Sequence, residues 1–303
     1  MIVGRLGFIV LAGLFLLTFL FALFHIIPGD PAVLLAGDNA PKVVVDAIRK
    51  AYGFDRPLHV QYLTYIGNVL TGDFGVSNYN RQPVLGVVIT RVLNTAQLAS
   101  LAMLFAVVVS LAFGSLSAMF WGNPLDKVVT VASLVGICLP VFVTGIASIY
   151  FFGVYLEWLP IAGMANWSNY VLPVVTLGAY QAAIFTRMVR SCMIDALGKD
   201  FIVTARAKGV HELQIVFKHA MRNALLPIIT LFGLGFGHTL GGSVVVESIF
   251  NWPGLGRLMV ESVQTRDLPI IQASIFFFAI IFITLNMIVD ILYTWIDPRI
   301  SYD

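Results

Sequence analysis

Five histidines and two cysteines are the side chains of this chain best suited to metal binding or nucleophilic chemistry. They are scattered, and the sequence contains no CxxC pair, no H-E-x-x-H helix and no Cys/His cluster. It also contains no G-x-S-x-G nucleophile turn and no paired carboxylates placed for acid and base work. The Gly198-Lys199 pair is followed by aspartate and lacks the earlier glycine of a phosphate-binding loop. We therefore expect no catalytic residue, no metal site and no ATP bound by this chain.

The most polar stretch, residues 189–223, lies between two long apolar runs and is chemically suited to binding a surface. From Arg187 to Arg222, seven basic side chains accompany three acidic ones. Apolar residues at helical spacing predict an amphipathic helix in its second half. This stripe comprises Leu213, Val216, Phe217, Ala220 and Met221.

A turn is predicted in the middle of this stretch, at Gly209. Residues Phe201 to Lys208 are rich in helix formers, and glycine readily adopts the positive φ at which one helix ends and the chain turns. The sequence thus predicts two short helices joined at Gly209. Two interpretations stay open from these residues alone: a basic helix lying on anionic lipid headgroups, or a docking element for a soluble partner.

The elements around this stretch are long apolar runs. Of the 303 residues, 59% are hydrophobic and only 11% are charged, against about 25% charged in soluble domains. Runs of about 20 apolar residues cross a bilayer, and continuous runs exclude strands, whose edges lipid cannot satisfy. We predict an all-α polytopic membrane protein. Its six transmembrane helices cover about 7–27, 97–121, 128–153, 170–188, 224–247 and 270–293.

The orientation follows from the basic residues in the short connections. The basic stretch 189–223 and Lys127 are placed in the cytoplasm, and both termini are predicted to be cytoplasmic as well. Residues 28–96 then form a long outer loop, since loops of this length cross largely regardless of charge. Two short helices, each opened by a proline, are predicted in it at about 41–51 and 57–70.

Glycines and aromatic residues near the fifth span suggest helix packing or a gate. Gly233, Gly237 and Gly241 are spaced four apart, which lets helix backbones approach closely, within the subunit or at a subunit interface. The loop after this span contains Trp252 and Pro253, and it is either an ordinary interfacial loop or part of an outer gate. Which residues bind substrate is not indicated by the sequence.

The basic stretch resembles the EAA loop of ABC importer permeases. Ala205 matches the second alanine of that motif and Gly209 its glycine, while Val203 and Thr204 stand in place of glutamate and the first alanine. The sequence TARAKG followed by KHAMRNALLP is similar to the corresponding segment in the branch of this family that comprises dipeptide, oligopeptide, glutathione and nickel importers. Further motifs of that branch follow in order along the chain. They are PGDPA at 28–32, YGFDRPLHVQY at 52–62, GDFGVS at 72–77, GGSVVVESIFNWPGLGRL at 241–258 and DPRI at 297–300.

The motifs are most similar to those of glutathione- and dipeptide-importer permeases. This resemblance implies a type I importer permease fold over a single domain, residues 1–303, in a bacterial inner membrane. It implies a non-catalytic subunit that imports small peptides with a second homologous permease, two ATPase subunits that hold ATP and Mg, and an outer solute-binding protein. Nucleic acid is not an expected partner. The segment expected to contact the ATPase comprises Asp200, Thr204, Ala205, Ala207, Lys208, Gly209 and Val210.

Three alternatives remain beside a peptide importer. A nickel importer of the same branch would share these motifs. A secondary transporter would work without ATPase subunits, but its proton coupling would call for a carboxylate near the middle of the membrane, and the sequence shows none there. An intramembrane enzyme would need a nucleophile or metal cluster, which the sequence does not contain.

Overall fold

The computed structural model describes residues 2–26, 30–36 and 40–296 and is helical throughout its main elements. The DPRI motif lies outside these ranges. Among the described residues the only strand-like pairing is an isolated bridge between Val76 and Pro83. The helices are α1 (Ile2–Ile26), α2 (Pro31–Ala36), α3 (Lys42–Tyr52), α4 (Leu58–Leu70), α5 (Val84–Met119), α6 (Pro124–Cys138), α7 (Val141–Ser148), α8 (Ser168–Leu197), α9 (Asp200–Ala207), α10 (Glu212–Gln214), α11 (Met221–Ile249), α12 (Leu255–Gln264) and α13 (Leu268–Ile296). The all-α prediction is confirmed.

Four of these helices are long and apolar enough to cross a membrane, namely 84–119, 168–197, 227–249 and 268–288. In α1 the apolar part among the described residues, Leu11–Leu23, is shorter than a crossing requires. Six spans and cytoplasmic termini therefore stay predictions.

The single uninterrupted helix predicted for residues 128–153 is wrong. α6 ends at Cys138, α7 begins at Val141, and the two are bent by 104° at the break. Pro140 is the physical reason, because proline has no N–H to donate and disfavours helical backbone in the residue before it. Leu139 is accordingly extended, with φ −80° and ψ 121°. The pair counts as a fifth candidate crossing.

Contacts divide the chain into two units, and the first comprises Met1–Val92 with Leu258–Ile283. Pro41 and Pro57 precede α3 and α4, which confirms both short helices predicted for the outer loop. α4 is fastened to α1 through a 2.7 Å hydrogen bond between the hydroxyls of Thr18 and Tyr62. The following turn is held by Asp267, which accepts hydrogen bonds from the Ser77 hydroxyl and the Asn78 N–H.

The second unit comprises Leu93–Arg257 with Thr284–Asp303, and α8 lies at its centre, in contact with α6, α7 and α11. Glycines bring α5 and α8 together at two points. A Cβ at Gly178 would lie 2.6 Å from the carbonyl oxygen of Ala102, and one at Gly114 would lie 2.7 Å from Val189 Cβ. Both distances are shorter than real Cβ contacts, so only glycine permits this approach.

Several predicted boundaries were too narrow. α5 begins at Val84, so its first turns belong to the stretch predicted as the end of the outer loop. α8 continues to Leu197, so the predicted cytoplasmic segment 189–223 begins inside a helix that is continuous with the membrane span. Because α8 is one continuous helix, a movement of either end would be transmitted along its whole length.

Candidate coupling and outer-loop sites

The turn at Gly209 has the geometry that the sequence predicts. Gly209 has φ +76°, in the left-handed region. Its N–H donates to the Arg206 carbonyl at 2.9 Å, and the Val210 N–H donates to the Ala205 carbonyl at 3.2 Å. These two bonds form a Schellman motif, which satisfies the last carbonyls of α9 and reverses the chain within a few residues. The predicted turn at Gly209 and the short helix before it are confirmed. The second element is not a separate short helix, because helical backbone continues from Glu212 through a π-helical turn, Ile215–Ala220, into α11.

The inner side of this turn packs on the ends of the long helices. Ile202 and Ala205 of α9 are buried with Met193 of α8 and Ile228 of α11 in one apolar cluster. Burying apolar surface contributes roughly 25 cal/mol per Å², so this cluster fastens the turn to the spans that it joins. The turn and both spans should therefore move together.

The apolar stripe predicted for the second helix was only partly right. Val216 and Ala220 are buried as expected, but Leu213 is 51% exposed and Phe217 is 54% exposed. The missed residue is Ile215, which is fully buried. The cause is a π-helical turn from Ile215 to Ala220, whose wider winding rotates the faces relative to an ideal α-helix.

The seven residues predicted to contact an ATPase do not all face outward. Ala205 is buried in the apolar cluster, and Val210 is half-buried. The exposed members are Asp200, Thr204, Ala207, Lys208 and Gly209. Val203, 61% exposed on the same short helix, was not predicted and belongs to the same outer surface.

An ion pair closes the turn from the other side. Arg206 donates to Glu212 through both Nε, at 3.3 Å, and a terminal nitrogen, at 2.5 Å. This hydrogen bonding lowers the pKa of the Glu212 carboxyl below its ordinary value of 4.5 and raises the pKa of Arg206. Both side chains are about half exposed, at 43% and 50%, so we expect the pair to contribute about 0.2–1 kcal/mol.

The depressed pKa of Glu212 predicts a pH dependence. A carboxyl with a lowered folded pKa stabilises the fold above its unfolded pKa, and this contribution is lost as the pH falls through the folded value. We expect Glu212→Gln to lower the melting temperature of the solubilised protein at neutral pH, with the difference vanishing well below pH 4.5. Asp55→Asn, at a carboxyl with no ion pair among the described residues, is the matched control. A difference that persists in acid would contradict this account.

A second ion pair joins α8 to the first turn of α6. Arg190 donates to Asp126 through two nitrogens, at 2.6 and 2.9 Å. Asp126 also accepts from the Ser117 hydroxyl at 2.5 Å and from the Gly122 N–H at 3.0 Å. Because the Asp126 side chain is only 5% exposed, it depends on these donors to offset its desolvation. Arg190, one of the basic residues from which the membrane orientation was predicted, therefore also has a structural partner.

The loop after α11, which was predicted to lie on the outer side, is organised around a buried carboxylate. Glu247 is fully buried and accepts hydrogen bonds from the Thr95 hydroxyl at 2.6 Å and the Arg257 N–H at 3.0 Å. Gly254 lies directly against it, since a Cβ there would approach Glu247 Cδ at 2.3 Å. The loop is therefore wrapped around a polar centre that sequence reasoning did not find.

Trp252 and Pro253, predicted as part of a packing or gate element, belong to this loop. Trp252 is fully buried, donates from Nε1 to the Asn94 carbonyl at 3.1 Å and meets Tyr170 edge-on at 4.7 Å. The Pro253 carbonyl accepts from Asn94 Nδ2 at 2.7 Å. These contacts attach the loop to α5 and α8; its role as a gate stays a prediction.

The predicted glycine stripe occupies α11, where Gly237 is buried, Gly233 is half-buried and Gly241 is exposed. A Cβ at Gly241 would meet no atom within 4 Å. A close approach is found at Gly235, outside the predicted stripe, where a Cβ would be 2.4 Å from Phe185 Cζ. A role for Gly241 at a subunit interface stays a prediction.

Two family models match the chain. The model described as "Binding-protein-dependent transport system inner membrane component" matches residues 110–302, and the N-terminal model of the same transport systems matches residues 1–112. Together they cover the chain almost from end to end.

Known proteins resemble the chain over nearly its full length. The glutathione transport system permease protein GsiC of Salmonella choleraesuis is 46% identical over 286 residues, which are 94% of this chain and 93% of that protein. GsiC of Escherichia coli K12 is 45% identical over the same shares. The inward-facing MetNI methionine ABC transporter matches in structure with a TM-score of 0.59 at 17% identity, covering 70% of this chain and 97% of that one.

Proposed function

The chain belongs to the family of binding-protein-dependent transport system inner membrane components, and from this premise we propose that it is a permease subunit of an ATP-driven importer of small peptides. The proposed substrate class is supported by the 46% identity of this chain with a glutathione permease over 94% of its length. Glutathione is itself a small peptide, so this class agrees both with the glutathione permease and with the motif resemblance.

The proposed assembly contains a second homologous permease, two ATPase subunits that bind ATP and Mg, and an outer solute-binding protein. The turn at Gly209 supports ATPase docking for two reasons. Its outer surface is exposed at Thr204, Ala207 and Lys208, and its inner surface is packed on the ends of α8 and α11. A push on that surface would be passed to both spans.

Gentle solubilisation of the tagged chain from native membranes tests the assembly. We expect two P-loop ATPases and a second permease to co-purify, and the complex in proteoliposomes to accumulate labelled glutathione or dipeptide only when ATP and the binding protein are present. Accumulation without ATP would indicate a secondary transporter. ATP-driven accumulation of Ni²⁺ but of no peptide would indicate a nickel importer, and either outcome would overturn the proposal.

A further inference from the structure

A cavity of about 380 Å³ lies in the second unit, at the break between α6 and α7. This volume falls within the range of about 300–1,000 Å³ typical of small-molecule sites. Three helices contribute polar side chains to its wall. Its principal lining residues are Cys138, Pro140, Tyr180, Gln181, His238 and Thr239.

The interrupted backbone between α6 and α7 borders this cavity. Pro140 cannot donate a hydrogen bond to the Gly136 carbonyl, so the end of α6 has an acceptor without its helical donor. Non-helical backbone at membrane depth is tolerated only where it is buried in protein or lines a water-filled space. Leu139, at the break, is 40% exposed and belongs to the cavity wall. Membrane transporters place their substrate sites at such interruptions.

The polar side chains of the wall can form hydrogen bonds. Gln181 is 4% exposed and is held by a 2.6 Å bond from its Nε2 to the Gly235 carbonyl. Its Oε1 and the imidazole of His238 make no hydrogen bond to the residues that the structure describes, and Tyr180 is 41% exposed. An ionisable residue within a membrane span is a functional candidate by default, which applies to His238. No Asp, Glu, Lys or Arg lines the cavity.

We propose that this cavity binds the peptide cargo in transit, through hydrogen bonds from its neutral groups to the amide groups of the peptide. This inference rests on the proposed function and specifies the subsite. An amide both donates and accepts, which matches the Gln181 oxygen, the Tyr180 hydroxyl and the His238 ring. Without a charged partner the site holds cargo weakly and without side-chain selectivity, as a pathway must if the cargo is to leave.

Cys138 is a natural reporter for occupancy. It is exposed in the cavity wall, and the only other cysteine of the chain is Cys192, so Cys192→Ser leaves a single thiol in this subunit. With the remaining subunits of the complex made cysteine-free, we expect a charged methanethiosulfonate reagent to label Cys138. Labelling should slow about tenfold when a dipeptide or glutathione is present at ten times its Kd.

Matched variants locate the binding groups. In the Cys192→Ser background, His238→Ala and Tyr180→Phe should each raise the peptide concentration needed for half-protection about threefold to tenfold, the effect of one lost hydrogen bond. Tyr150→Phe and Ser248→Ala, at exposed residues outside the cavity wall, should leave it unchanged. Binding-protein-stimulated ATPase activity of each variant verifies that the complex is folded.

The outcomes separate this inference from the proposed function. If the complex imports peptide with ATP but Cys138 resists the reagent, or reacts equally fast with and without peptide, the cavity is not the cargo site. Equal protection in His238→Ala, Tyr180→Phe and the controls would also overturn it. If the complex imports no peptide at all, the proposed function itself fails.

Discussion

Gly209→Val is expected to abolish peptide import while the complex still assembles. Gly209 has φ +76°, and a β-branched residue held there carries backbone strain of about 1–3 kcal/mol, enough to lower the population of the native turn by about 5-fold to 150-fold. A Cβ at this position would meet no atom within 4 Å, so the effect arises from backbone conformation alone. The measurement is ATP-driven peptide uptake by proteoliposomes, compared with the basal ATPase rate of the same sample.

Gly209→Asn is the matched control, because asparagine adopts the left-handed conformation far more readily than valine. It should retain most of the uptake. If the valine variant imports peptide at the wild-type rate, the turn is not the element through which ATPase movement reaches the membrane spans.

Gly235→Ala is expected to destabilise the protein by about 1–3 kcal/mol, the usual effect of overpacking. The added Cβ would lie 2.4 Å from Cζ and 2.9 Å from Cε1 of Phe185, a ring that is 1% exposed and has no room to withdraw. α8 and α11 would have to move apart. Thermal unfolding of the solubilised protein and its abundance in the membrane report the loss.

Gly241→Ala separates this packing effect from the intrinsic helix preference of alanine. Both glycines lie in α11, but a Cβ at Gly241 has no neighbour within the chain. Alanine there should be neutral or stabilising by about 0.5–1 kcal/mol in the isolated subunit. Equal effects of the two substitutions would contradict the assignment of the helix contact to Gly235.

Most of the long helices, together with α3, α4 and α9, were predictable because each rests on a local pattern, whereas α2 and α12 were not predicted. Apolar runs indicated the crossing helices, prolines indicated the starts of α3 and α4, and Gly209 indicated the turn. Pro140 is itself a local signal for the break between α6 and α7. The apolar run continues across it, however, so hydropathy indicated one helix where the structure has two. The inner ends of the spans were misplaced for a related reason, since α8 continues helical through polar residues after its apolar part.

The polar centres were not predictable, because their partners are distant in sequence. Thr95 donates to Glu247 across 152 positions, and Arg190 reaches Asp126 across 64. No spacing rule connects such pairs in a single sequence. The stripe after Gly209 failed in another way: an ideal helical period was assumed where the chain winds as a π-helix from Ile215 to Ala220. The cavity at the break likewise could be recognised only with three helices in place, because its polar side chains come from all three.

The continuity of α8 gives the molecule a mechanical lever. Its 30 residues extend about 45 Å at 1.5 Å per residue, so each degree of tilt displaces one end relative to the other by about 0.8 Å. The contacts of α5 at Gly114 and Gly178 form a natural fulcrum, since neither backbone can come closer. Tyr170 lies eight residues, or about 12 Å, from the Gly178 contact, so a tilt of a few degrees about that contact would move Tyr170 against Trp252 by roughly 0.5 Å.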